Sequence, residues 1–128
     1  MTTIKKKIKE LMEKIENQNS ENRDLEKKMI EDLAKDCAEY ISSIIKMENT
    51  INVAKTRLEA NEYRETITNL DNRRTGSHNL VISDVKVLSK VSILYKLPPI
   101  FTGDVNSRIE VAQFAKQYVD ELFNERRI

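Results

Sequence analysis

Residues 33–58 read LAKDCAEYISSIIKMENTINVAKTRL, and within them Leu33, Cys37, Tyr40, Ile44, Met47, Ile51, Ala54 and Leu58 alternate spacings of four and three without a miss. That spacing is a heptad seam, the narrow apolar edge by which one helix lies along another. No Gly or Pro precedes Gly76, so the element is read either as one helix over about 20–74, about 80 Å long at 1.5 Å per residue, or as two helices broken near Glu48–Thr50. Ile41 and Ile45 widen the apolar face in the first half only. After Leu58 the spacing slips and resumes as Ala60, Tyr63, Ile67 and Leu70, a phase shift that bends a supercoil or ends a helix.

On the amino-terminal side, Ile4, Ile8, Leu11 and Ile15 set one face of a first helix over about 3–17. Its other face carries Lys6–Glu10, Lys9–Glu13 and Glu10–Lys14 pairs at i, i+4. Lys5, Lys6 and Lys7 are read as a solvated face, with contact to an acidic partner or phosphate as the alternative. Asn17 to Asn22 form a polar turn in which Ser20 is a candidate N-cap. Towards the carboxyl end, Thr75-Gly76-Ser77 suits a connection, with Gly76 as the left-handed residue after a helix and Ser77 as the next N-cap. A third helix is expected over about 78–97, stopped by Pro98-Pro99, with Leu80, Val81, Val85, Val87, Leu88, Val91, Leu94 and Tyr95 as its apolar residues. Ile100 and Phe101 are expected to tuck onto the bundle end. Asp104 is expected to cap a fourth helix over about 104–126 that buries Val111, Ala112, Ala115, Tyr118, Val119, Leu122 and Phe123. Phe114 falls off that face, as an edge contact or part of a partner surface.

Composition agrees with an all-α, elongated bundle forming one domain over 1–128. Two Gly and two Pro in 128 residues cannot supply the turns of a sandwich or barrel, nor a Gly-rich phosphate loop. A net charge of +1, from 22 Lys+Arg against 21 Asp+Glu, gives no overall pull towards nucleic acid or anionic lipid. One Cys and one His allow neither an internal disulfide nor a thiolate–imidazole zinc site, so no metal and no cofactor is expected. A lone Cys37 fits a reducing, cytoplasmic setting. No stretch approaches the roughly 20 apolar residues of a membrane span, so no membrane is expected.

The polar concentration is Asp71-Asn72-Arg73-Arg74-Thr75-Gly76-Ser77-His78-Asn79. With His78 opening a helix, Arg73, Arg74, His78 and Asn79 form a candidate anion site, since free N–H groups and the helix dipole attract negative charge there. His78 would then be a neutral imidazole able to take a proton near pH 7, with Arg73 stabilising charge on a phosphorane. The structural reading gives the arginines the carboxyl end of the preceding helix and pairs Asp71 with Arg74. Asp84 projects into the apolar face of the third helix and calls for a buried partner, for which Arg64, Arg73 and Arg74 are the candidates.

Asp71-x-Arg73-Arg74-x3-His78-Asn79, followed by Leu-Val-Ile, resembles the central motif of a small family of uncharacterised helical proteins from low-GC Gram-positive bacteria, a domain of unknown function that implies no known activity. Arg73-x4-His78 also resembles the Arg-x4-6-His motif of HEPN ribonucleases, small all-α dimers that cleave RNA without metal; that resemblance implies catalytic roles for Arg73 and His78. Arg74 departs from the smaller polar residue usual at that position. No catalytic residue is assigned from the residues themselves. The expected function is a non-enzymatic protein–protein interaction module, a homodimer joined as a coiled coil through the 33–58 seam. The alternative is a HEPN-like ribonuclease, and RNA is a partner only under that alternative.

Overall fold

The computed structural model describes residues 3–18, 21–56 and 63–125, with the side chains of 3–18, 21–55 and 63–123. Four helices follow one another: α1 (Ile4–Glu16), α2 (Arg23–Thr56), α3 (Arg64–Leu94) and α4 (Arg108–Glu125). Among the described residues there is no strand.

α1 starts where the Thr3 hydroxyl accepts the Lys6 N–H at 3.0 Å, and it buries Ile4, Ile8, Leu11 and Ile15. α2 runs unbroken through Glu48–Thr50. The Thr50 hydroxyl there donates to the Lys46 carbonyl, a bond a helix accommodates without ending. Leu58, Ala60 and the slip in spacing lie outside the described residues, as does Ser20.

The largest correction concerns the expected join at Thr75-Gly76-Ser77, which lies in the middle of α3. Gly76 keeps a helical, negative φ, and the inward stripe Arg74, Ser77, His78, Val81, Val85, Leu88 passes straight through it. The left-handed cap falls instead on Lys96, at φ 59°. Around it Leu97 N–H donates to Ser92 O at 2.9 Å and Lys96 N–H to Ile93 O at 3.0 Å, the double closure of a Schellman motif just before Pro98-Pro99.

Asp104 does not cap α4. Its carboxylate accepts the Asn106 N–H in a turn, and Ser107 takes the cap position by accepting the Glu110 N–H. Phe114 is buried, edge-on to Phe101 with ring centroids 5.2 Å apart, and Ile100 is buried beside them in the core. Phe123, expected inside, is 56% exposed.

α2 and α3 form an antiparallel hairpin, and α1 and α4 pack across its lower half. Tyr95 Oη donates to Glu26 Oε2 at 2.6 Å, tying the end of α3 to the start of α2. Leu33, Cys37 and Tyr40 are almost wholly buried in one cluster with Val81, Val85, Leu88 and Val91. The seam expected to join two copies is therefore covered within one chain by α3. Among the described residues, Ala54 is the one buried apolar side chain between Tyr40 and Val81, so the upper half of the hairpin is a thin two-helix arm.

Candidate functional site

At roughly 100° per residue, Arg74 and His78 share a helix face four residues apart, whereas Arg73 and Asn79 do not. Arg74 and His78 are buried; Arg73 and Asn79 are exposed. The structure thus brings together the second arginine and the histidine, and leaves the Arg73–His78 pair on different faces of one continuous helix.

The Arg74 guanidinium is already engaged. Nη2 and Nε donate to Asp71 Oδ1 at 2.7 and 3.2 Å, and Nη2 reaches Thr75 Oγ1 at 3.4 Å. His78 Nδ1 lies 3.2 Å from the Tyr40 hydroxyl and shares a hydrogen bond with it, the donor set by the imidazole tautomer. The two rings meet edge to face at 5.5 Å. Burial, then the positive charges of Arg108 and Arg74, hold the imidazole below its ordinary pKa, so it is neutral at pH 7. The result is a polar joint in which Tyr40 of α2 meets His78 of α3, with Arg74 on the same face of α3 and the charge of Arg108, the first residue of α4, acting on the imidazole. Sequence reasoning named Arg74 and His78 but missed Tyr40 and Arg108. The one available signal was that a tyrosine at a seam position needs a partner for its hydroxyl.

Asp84 is the second polar feature, and its partners differ from the expected ones. Arg64, Arg73 and Arg74 all belong to α3 itself. Across from Asp84 stand the carboxyls of Asp36 and Asp32 on α2. Its Oδ2 is, among the described residues, the buried side-chain oxygen or nitrogen without a hydrogen-bond partner. Burial, a hydrogen bond with the Asp36 side chain, and the negative charges of Asp36 and Asp32 push its pKa up to about 8. A carboxyl can bond another carboxyl only by keeping a proton, so Asp84 is largely protonated at neutral pH. No group of three or more His, Cys, Asp or Glu among the described residues could hold a metal ion, and no described helix is long and apolar enough to cross a membrane.

A family model described as "Protein of unknown function (DUF3232)" matches residues 2–128. The chain belongs to the DUF3232 family. No curated protein and no solved structure matches it. Within this DUF3232 chain the free Cys37 is buried beside the Asp84 cluster. Burial, then Asp84 and Asp36, push its thiol up to about 12. Native protein at pH 8 should therefore react with iodoacetamide at least about a thousandfold more slowly than protein in urea, because both access and thiolate are missing. Mass spectrometry of timed aliquots measures this, and equal rates in the two conditions would contradict the buried placement.

Proposed function

We propose that the chain is a non-enzymatic helical interaction module that pairs two copies of itself through the groove between α2 and α4. The groove is the observation that carries this reading. Two adjoining depressions of about 250 and 450 Å³ share Ala38, Val119 and Phe123 in their walls. Phe123 and Ile45 stand 56% and 50% exposed along it. Lys35 and Lys46 on one side and Asp120 on the other give the rim both signs of charge. A two-fold axis can then set cation against anion, as a self-complementary interface requires.

The non-enzymatic part of the reading is supported by the polar joint. His78 spends one nitrogen on Tyr40, Asp71 takes up the charge of Arg74, and Arg73 is turned to another face. We read Arg74, His78 and Tyr40 as fastening α2 to α3, in preference to an anion site made with Arg73 and Asn79 or a ribonuclease centre of Arg73 and His78. A reducing, cytoplasmic setting belongs to the same reading, since the buried Cys37 is a free thiol.

Sedimentation equilibrium tests the proposal. Wild-type protein should be dimeric at micromolar concentration. Phe123→Glu should weaken the dimer by roughly thirtyfold or more, the loss typical of a central aromatic anchor, with an unchanged circular dichroism spectrum. Wild-type protein that stays monomeric at 100 µM, on the order of the weakest stable dimers, would overturn it.

A further inference from the structure

Three of the eight apolar residues expected inside the third helix, Leu80, Val87 and Leu94, point outward. Arg73, Gly76, Leu80, Ser83, Val87, Lys90 and Leu94 follow one another at alternating spacings of three and four, and every one is exposed. Leu80, Val87 and Leu94 repeat at seven residues, 49%, 37% and 74% exposed, with Ile93 beside them at 68%. The opposite face of the helix holds Val81, Val85 and Leu88 in the core. α3 therefore carries two stripes of helix-packing spacing, one of them covered by α2 and the other by nothing among the described residues.

Gly76 sits on the outer stripe. Glycine weakens a helix interior more than any residue except proline, and nothing in the fold repays it: φ is not positive, and an added Cβ would meet no atom within 4 Å. A glycine of that kind is explained by a backbone that approaches from outside the chain.

Charge decides what approaches. From Asn72 to Lys96 the exposed charged residues are Arg73, Lys86, Lys90 and Lys96, and the only acid in the segment, Asp84, faces α2. A second copy laid on the same stripe would set cations against cations. A bilayer calls for a broad apolar face sunk into the headgroups, whereas Leu80 and Val87 stand in single file and half-sunk. Nucleic acid calls for a row of cations along its phosphates, whereas Leu80, Val87 and Leu94 make up the centre of the stripe, with Arg73 and Lys90 its only cations.

We infer that the outer face of α3 docks an amphipathic helix of another protein whose apolar stripe is flanked by Asp or Glu. The surface is separate from the α2–α4 groove, and its test does not depend on self-association. The probe is a fluorescent 24-residue helical peptide with Leu at seam positions and Glu on both flanks, compared with the same peptide carrying Lys for Glu. Fluorescence anisotropy with the full chain should show binding of the Glu peptide that weakens with salt, and at least tenfold weaker binding of the Lys peptide. Leu80→Glu should reduce binding of the Glu peptide at least tenfold, and Phe123→Glu should leave it unchanged. Gly76→Ala should raise the thermal midpoint of the free protein while weakening the peptide complex severalfold. Equal or absent binding of the two peptides would overturn the inference, as would a Gly76→Ala variant that melts lower or binds as well as wild type. Adsorption to phosphatidylglycerol vesicles lost in Leu80→Glu would assign the stripe to a membrane surface, and self-association lost in Leu80→Glu but kept in Phe123→Glu would assign it to a second copy. Either result would displace the acidic helix.

Discussion

Leu33→Ala should lower the free energy of unfolding by about 3–5 kcal/mol, the range for removing a fully buried leucine whose surroundings cannot close around the gap. Leu33 has no exposed surface and lies among Cys37, Tyr40 and the α3 valines in the core cluster. The same substitution separates two ways of burying the α2 seam. Covered by α3 within one chain, the seam loses stability by an amount that does not depend on protein concentration; shared between two chains, it would show a loss that shrinks as concentration rises. Urea unfolding followed by circular dichroism at two concentrations a hundredfold apart reads the difference. A midpoint that moves with concentration in wild type but not in Phe123→Glu would locate the dependence in the α2–α4 groove and leave the seam intrachain.

Asp84→Asn should stabilise the protein, by about 2–3 kcal/mol above pH 8 and by little at pH 5. That figure is roughly half of what so large a displacement would be worth for a carboxyl wholly sealed from water. The direction follows from where the proton is. Below about pH 4 the carboxyl is protonated in both folded and unfolded chains, and it contributes nothing to the difference. Between there and about pH 8 the unfolded chain releases the proton, whereas the folded chain keeps it against Asp36 and Asp32. Stability therefore falls as pH rises through that window and levels off above it. Asparagine removes the charge and keeps a donor for Asp36. His78 acts in the opposite sense: its folded pKa is depressed, so stability also falls as acid protonates the unfolded imidazole. Urea midpoints of wild type and Asp84→Asn at pH 5 and pH 8.5 suffice as a check. A variant that is less stable than wild type at pH 8.5 would mean that Asp84 has a cationic partner after all.

Much of the helical content could be read along the chain. Ile4, Ile8, Leu11 and Ile15 mark the buried face of α1, and the expected start near residue 3 lies within one residue of the observed one. The Pro98-Pro99 pair marks the end of α3 to within a few residues, although the left-handed residue that closes the helix is Lys96 rather than a glycine. Local turn chemistry points to a join at Gly76, and the periodicity of the inward residues overrides it. Tyr63, Ile67, Leu70, Arg74, His78, Val81, Val85 and Leu88 keep three- and four-residue spacings straight across it, once Arg74 and His78 are allowed to stand at inward positions. The candidate site suffered in the same way. A polar cluster that resembles a loop is about two and a half turns of a helix with its residues spread over every face, and the four-residue spacing selects Arg74, not Arg73, as the neighbour of His78.

The spacing of apolar residues by itself determined that this protein is helical and which edges of each helix avoid water. It could not determine which element covers which edge, because periodicity fixes directions around a helix axis and carries no information about distances between axes. α3 presents two edges of nearly equal apolar character, and only the antiparallel packing of α2 makes one of them core and leaves Leu80, Val87 and Leu94 outside. The same packing sets Asp84 against Asp36 and Tyr40 against His78, pairs 48 and 38 residues apart whose meeting depends on the register of two long helices and on no feature of either neighbourhood.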